Sequence, residues 1–184
     1  LGMPDDGWFV TFHCRTGTHQ GLRSVKPETY TRAIEAVLRS GGWVVCLGFH
    51  CQSTHPKIIN RDDHRIPDDD WKDIFLIASC RFFVACTSGP CDVANAFRVP
   101  MVKVNLVQLG SQAAYNADLF IPKLFQSRWL GRPLTIAEIL EQVGTACGWD
   151  ISQLDVLGLD AIDNTPEEIE AVVCEMIERL NGLG

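Results

Sequence analysis

Two short stretches of this chain hold residue types able to grip an anion: His13-Cys14-Arg15 and Thr87-Ser88-Gly89-Pro90. An arginine presents a planar fork of donors that matches a phosphate bidentately. A Ser-Gly-Pro turn opening a helix adds backbone amides and the positive end of the helix dipole. Pro90 suits the first helical position, where a missing N–H is tolerated, and Ser88 or Gly89 can serve as the N-cap. His13 and Arg15, two residues apart on a strand, would project on one side at its carboxyl end. Arg15 and the turn amides would then clamp a phosphate from two directions. The plainer alternative is common turn chemistry at Ser-Gly-Pro, with His13 a satisfied core histidine and Arg15 a strand-end surface charge.

Other constellations carry less chemistry. Cys14, His50, Cys51, His55 and His64 match no common zinc-ligand spacing. Asp62, Asp63, Asp68, Asp69 and Asp70 could hold a divalent cation, but a solvated acidic loop beside a helix N-terminus explains them with the helix dipole alone. Cys86 or Cys91, near a helix N-terminus that lowers thiol pKa, could serve as a reactive thiol, although no sequence-adjacent base supports it. The remaining cysteines lie in apolar contexts without any CxxC pair. Buried free thiols in a reducing, cytoplasmic setting are therefore expected for the eight cysteines, rather than disulfides.

The elements that position these residues alternate between strand and helix. Residues 8–15 (WFVTFHCR) read as the first strand, followed by a polar loop over 16–26. Pro27 opens a helix to about Arg39, with Tyr30, Ala33, Ile34, Val37 and Leu38 on one face, ended by Ser40-Gly41-Gly42. Trp43–Leu47 is a second buried strand and Ile58-Ile59 a short third. A helix over 70–79 leads to the central strand over 81–85, the Ser-Gly-Pro turn, a further helix, and the strand Met101–Val104. A long loop passes 112–116, residues 118–125 form a short extended piece, and 134–147 a helix. The last helix, within 164–180, carries a capping box of Thr165 and Glu168 with Pro166 at its first position.

Such alternation with continuously apolar strands predicts an α/β fold: a Rossmann-like parallel sheet with helices on both faces. Ligands of such sheets bind beyond the carboxyl ends of the strands, where both anion-gripping stretches should lie. No GxGxxG follows a strand and no GxxxxGK[ST] occurs, so neither a dinucleotide cofactor nor a P-loop nucleotide is indicated. At 184 residues the chain suits a single domain, and a net charge of −7 argues against nucleic acid and anionic membrane surfaces as partners. No apolar run approaches the roughly 20 residues that span a bilayer. A start at Leu1 rather than Met points to a fragment or processed product of a longer chain.

Five stretches in order carry a resemblance: WFVTFHCR; YxxAIxxVLxxGGWVVxLG; DIFLIASCRFFVACTSGP; VPMVKVN; and DNTPEEIxxxVxEM. Over nearly the whole chain they resemble the carboxyl-terminal, donor-binding half of bacterial GT-B-type glycosyltransferases found in surface-polysaccharide gene neighbourhoods. A more distant resemblance is to GT-B fucosyltransferases, which carry a His-x-Arg at a strand end and a Thr-x-Ser-Ser turn before a helix. The resemblance implies one half of a GT-B fold that binds a nucleotide-sugar donor through its diphosphate. His13, Arg15, Thr87, Ser88, Gly89 and Pro90 would form the diphosphate site, Arg15 and the Ser88 and Gly89 amides holding the anion and His13 supporting. It implies hexosyl or deoxyhexosyl transfer to a glycan acceptor in polysaccharide or glycoconjugate synthesis, with no cofactor besides the donor and no metal. Any membrane association would come through a further segment or a partner chain. Two departures stand beside it. The acceptor half, which usually supplies the catalytic base, is not in this chain, so no catalytic residue is assigned; and Thr16 follows Arg15 where the family has an acidic residue. The alternative reading is a non-catalytic nucleotide- or sugar-binding module, or a half that needs a partner chain.

Overall fold

The computed structural model describes residues 2–183 except 17, 65, 68, 108–116 and 143–150. Asp68, Cys147, the expected loop at 112–116 and the last residues of the helix expected over 134–147 lie outside the described residues.

Six strands form a wholly parallel sheet: β1 (Phe9–His13), β2 (Trp43–Leu47), β3 (Ile58–Asn60), β4 (Phe82–Ala85), β5 (Met101–Leu106) and β6 (Leu119–Pro122). Their spatial order is β3-β2-β1-β4-β5-β6. The chain therefore winds outward from β1 through β2 to β3, crosses back, and winds the other way from β4 to β6. Helices cover both faces, which is why these strands are apolar without alternation. On one face α1 (Thr31–Arg39) and α6 (Pro166–Leu180) pack on Val10, Phe12, Val44, Val84 and Val102. On the other, α2 (Trp71–Ala78) and α3 (Pro90–Phe97) cover Phe9, Val45, Phe83 and Met101. The architecture is the α/β Rossmann-like sheet expected from the sequence.

Local chemistry accounts for the helix ends. The turn Pro27–Tyr30 is 3₁₀ and runs straight into α1, so the expected helix begins as a tighter coil. Tyr30 is fully buried at that junction, its ring edge-on to Phe12 at 6.3 Å between centroids. At α6 the Thr165 side chain accepts the Glu168 amide and the Glu168 carboxylate accepts the Thr165 amide, completing the capping box. The α1–α6 contact is laced outside by Arg32 and Arg39, both bonded to Glu170.

Three findings differ from the sequence expectation. The extended piece over 118–125 divides between two sheets: β6 joins the parallel sheet, whereas β7 (Leu124–Ser127) pairs antiparallel with β8 (Arg132–Pro133) and β9 (Leu159–Ile162). Helices α4 (Ile136–Gln142) and α5 (Ile151–Val156) accompany this small sheet, around a separate core including Phe125, Leu134, Ile139, Leu154 and Leu159. The acidic loop is not simply solvated. Asp69 is buried against Arg61 at 2.7 Å, and the same guanidinium meets Asp73 at 2.8 Å. Hydrogen bonds from Arg61 hold the Asp69 carboxyl down at about 2.

Candidate anion-binding site at the strand-order reversal

A doubly wound sheet splays its connections apart where the strand order reverses, leaving a crevice outside the strand carboxyl ends. Here the reversal lies between β1 and β4, which are hydrogen-bonded neighbours with His13 opposite Ala85. The two stretches singled out from the sequence, far apart along the chain, thus leave the sheet side by side at that point.

β1 ends at His13, so Arg15 lies past the strand and the expected side-by-side projection of His13 and Arg15 by strand alternation does not apply. Instead the chain bends along β4: the Arg15 amide donates to Cys86 Sγ at 3.3 Å, and the Arg15 carbonyl accepts the Val25 amide at 3.0 Å. That second bond folds the loop after β1 back over Arg15. Within it Thr18–Arg23 forms a 3₁₀ segment broken at Gly21, and Leu22 is buried in the core of the small sheet. The buried Lys123 ammonium, paired with Asp163, donates to the Ser24 carbonyl and holds the loop from below.

His13 turns to the α2/α3 face, as Phe9 does two positions on either side of Thr11. It lines a crevice of about 300 Å³ with Gly48, Asp73, Ile77, Pro90 and Val93 among its walls. Gly48 has φ +75°, and a Cβ there would stand 3.3 Å from His13 Nε2, so the glycine permits both the turn after β2 and the imidazole beside it. Burial, and next the Arg15 charge, push the His13 pKa down to about 4. At neutral pH the imidazole is uncharged, and the positive charge at this edge belongs to arginine.

The turn Thr87-Ser88-Gly89-Pro90 leads into α3 with Gly89 as N-cap and Pro90 at the first turn; no side chain caps the helix. Ser88 Oγ instead contacts His13 Nδ1 at 3.4 Å. Cys91 and Asp92 donate their amides to the Ser88 and Gly89 carbonyls. The amides of Ser88 and Gly89 themselves donate to no described residue. Gly89 is exposed, and a Cβ on it would meet nothing within 4 Å, so its backbone is open to close approach. Thr87 Oγ1 is buried without a hydrogen-bond partner among the described residues.

Of the six residues expected to act together, His13 and Pro90 share the crevice, Ser88 touches His13, and Arg15 is anchored to Cys86 one residue before Thr87. One residue not singled out belongs with them. Burial first, then the charge of Arg15, lower the Arg23 pKa, so Arg23 feels the positive charge of Arg15. Positive charge gathered at one edge attracts anions to it. The signal available in the sequence was the pair of basic residues in the loop over 16–26, Arg23 and Lys26.

Among the described residues the competing constellations do not assemble. No group of three or more His, Cys, Asp or Glu side chains among the described residues could hold a metal ion. Cys86 and Cys91 are buried, and burial raises both thiols, Cys86 to about 11, which counts against the alternative of a reactive thiol at the helix N-terminus. All seven described cysteines are free. A larger hollow of about 450 Å³ runs along α2, lined by Arg61, His64, Trp71, Lys72, Phe75 and Leu76 and including none of the six expected site residues. No described helix is long and apolar enough to cross a membrane.

No protein-family model and no curated protein matches the chain. Among solved structures it is similar to the dodecameric iron-containing heptosyltransferase TibC in complex with ADP-D-beta-D-heptose, with TM-score 0.53 and 14% identity over 100% of this chain and 50% of that one. It is also similar to the E. coli heptosyltransferase WaaC with ADP-2-deoxy-2-fluoro heptose, with TM-score 0.51 and 13% identity over 95% of this chain and 45% of that one. The likeness is one of fold: this chain has the Rossmann-like architecture found in GT-B glycosyltransferases. It spans about half the length of the structures it matches.

Proposed function

We propose that this chain is the donor-binding unit of a glycosyltransferase and holds a nucleotide sugar by its diphosphate at the reversal between β1 and β4. One observation carries the reading: Arg15 and the Ser88–Gly89 backbone leave adjacent parallel strands at the place where doubly wound sheets bind ligands. The two heptosyltransferases of similar fold were solved with ADP-linked sugars, which supports a nucleoside diphosphate sugar as the ligand class.

In glycosyl transfer the nucleoside diphosphate is the leaving group, and negative charge grows on it as the glycosidic bond breaks. Arg15 and Arg23, with the open amides of Ser88 and Gly89, would bind that charge more strongly in the transition state than in the ground state. These donors need no metal or cofactor to stabilise it. Neutral His13 would act as a hydrogen-bonding support for Ser88, not as a cation, and Pro90 and Thr87 would shape the turn. The setting that suits this chemistry is the cytoplasm, and the acceptor is a glycan.

Calorimetric titration with ADP, UDP and GDP and their sugars tests the reading. Arg15→Ala should weaken diphosphate binding tenfold or more with the fold unchanged by circular dichroism; unaltered affinity would reject the role of Arg15. A second reading draws support from the length comparison: the chain works as a half that needs a partner. It expects nucleotide binding without sugar-nucleotide turnover when the chain is assayed alone.

A further inference from the structure

Among the described residues Arg61 is the one buried arginine, and its fork of donors is only partly satisfied. Nε donates to Asp73 Oδ1 at 2.8 Å. Nη2 meets the Asp69 carboxylate at 2.7 Å and donates to the Asp69 carbonyl at 3.2 Å. Nη1 is buried with no hydrogen-bond partner among the described residues. A buried donor left unmet bears the full cost of its desolvation and is rare in folded chains, so it calls for an acceptor.

Arg61 is also part of the wall of the 450 Å³ hollow along α2. Trp71, Phe75 and Leu76 give that wall its apolar part, and His64 and Lys72 stand in it beside them. Trp71 and Phe75, four residues apart on α2, are 61% and 58% exposed, so the core uses little of either ring. Lys72 Nζ lies 5.8 Å from the centroid of the Trp71 ring and 3.4 Å from Asp69 Oδ2. Each ionisable group described in the wall is therefore a base, whereas Asp69 and Asp73, which pair with these bases, are not among the lining residues. Asp62, Asp63 and Asp70 adjoin the wall in sequence, and their charge opposes an occupant with more than one negative charge. A volume of this size, with apolar walls and a few directed polar groups, suits a small molecule.

We propose that the hollow along α2 is a binding site for a small aromatic monocarboxylate. Its carboxylate accepts a charge-assisted hydrogen bond from Arg61 Nη1, which meets the unsatisfied donor, and Lys72 and His64 complement the same charge from the wall. Its ring system lies against Trp71 and Phe75, where offset or edge-on contact between aromatic groups adds to the gain from burial. An acid without an apolar body would leave those two rings unused. A diphosphate fails on both counts, having no apolar body and too much charge for a segment so rich in aspartate. The site is separate from the one proposed for the donor: no residue of this wall lines the crevice of His13 and Pro90, and neither Arg15 nor the α3 turn takes part.

Calorimetric titration of the whole chain with 1-naphthoate tests the proposal, with naphthalene-1-carboxamide as the uncharged control. The acid should bind saturably and about tenfold more tightly than the carboxamide. Phe75→Ser should weaken both ligands by about tenfold, and Lys72→Met should weaken the acid alone by about fivefold. Both side chains lie on the open side of α2, so the two variants should keep the wild-type circular dichroism. Should either fail to fold, nuclear Overhauser contacts from naphthoate to the Trp71 and Phe75 rings in the wild-type chain decide in its place. Arg15→Ala should leave naphthoate affinity unchanged, and ADP should not displace the acid. No saturable binding at millimolar naphthoate, a carboxamide held as tightly as the acid, full affinity in folded Phe75→Ser, or displacement by ADP would overturn the assignment.

Discussion

Ser88 Oγ stands 3.4 Å from His13 Nδ1, joining the turn after β4 to the end of β1 across the point where the strand order reverses. The contact ties the protonation of one side chain to the integrity of the edge. His13 is pushed from 6.5 down to about 4, first by burial and then by Arg15. A base whose folded pKa lies below its unfolded value is stabilised in the neutral form. Its contribution is complete above pH 6.5 and is lost as pH falls towards 4, because the unfolded chain takes up the proton first. The expected loss is on the order of 3 kcal/mol over that window. His13→Gln should flatten the dependence between pH 6.5 and 4 in urea denaturation. The carboxylates of Asp69 and Glu138, both held near 2, begin to lose their contributions as pH falls through about 5, but they do so alike in both proteins, so the difference between the two profiles reports on His13. Parallel profiles for the two proteins would show that His13 is not neutral by virtue of the fold.

Arg23 offers a separate handle on the same edge. If its guanidinium shares an anion with Arg15, Arg23→Ala should reduce nucleoside diphosphate affinity by about tenfold and make the remaining binding less sensitive to salt. A drop in melting temperature with unchanged affinity would assign Arg23 to the fold of the loop instead.

What could be read from the sequence followed how locally each feature is encoded. The α6 cap was legible because Thr165, Pro166 and Glu168 lie within one turn and bond to one another. The apolar runs of β1, β2, β4 and β5 announced buried strands, since burial on both faces leaves no room for polar alternation. The small sheet was not legible: β8 is two residues long, and β9 pairs with β7, more than 30 residues earlier, without a periodic pattern of its own. Buried Arg61 escaped because an isolated arginine beside aspartates looks like solvent chemistry until Asp69 and Asp73 are seen to close around it. The residue types of the candidate site were legible; their adjacency was not. β1 is followed in sequence by β2, and only the crossover from β3 back to β4 puts Ala85 opposite His13.

Gly89 and Gly48 separate an open backbone from a constrained one. Gly89 is at φ −54° with clear space where a Cβ would stand, so Gly89→Ala should leave stability unchanged or raise it by up to about 1 kcal/mol. If a phosphate approaches that Cα, the same methyl should cut diphosphate affinity by about tenfold. Gly48→Ala meets both a φ of +75° and the His13 ring, and should cost about 1 kcal/mol or more. Thermal unfolding and calorimetry on the two variants check this. Full affinity in Gly89→Ala would move the anion away from the turn.

The floor beneath this edge depends on a reciprocal pair of asparagines. Asn105 Oδ1 accepts the Asn164 amide at 2.7 Å, and Asn164 Oδ1 accepts the Asn105 amide at 2.5 Å. Asn164 also donates to the Pro122 carbonyl at 2.8 Å, so one side chain joins the ends of β5 and β6 to the start of α6. Asn105 sits at φ +53°, a conformation that asparagine tolerates better than most residues because its short side chain bonds nearby backbone. Asn164→Ala strands the Asn105 amide and the Pro122 carbonyl, and should cost about 2–4 kcal/mol by urea denaturation. Asn105→Gly loses one hydrogen bond but keeps the backbone relaxed, whereas Asn105→Ala loses the bond and strains the left-handed turn. The alanine variant should therefore be less stable than the glycine variant by about 1 kcal/mol. If alanine proves equal or better at 105, the positive φ there is not what selects asparagine, and the pair owes its place to the side-chain bonds alone.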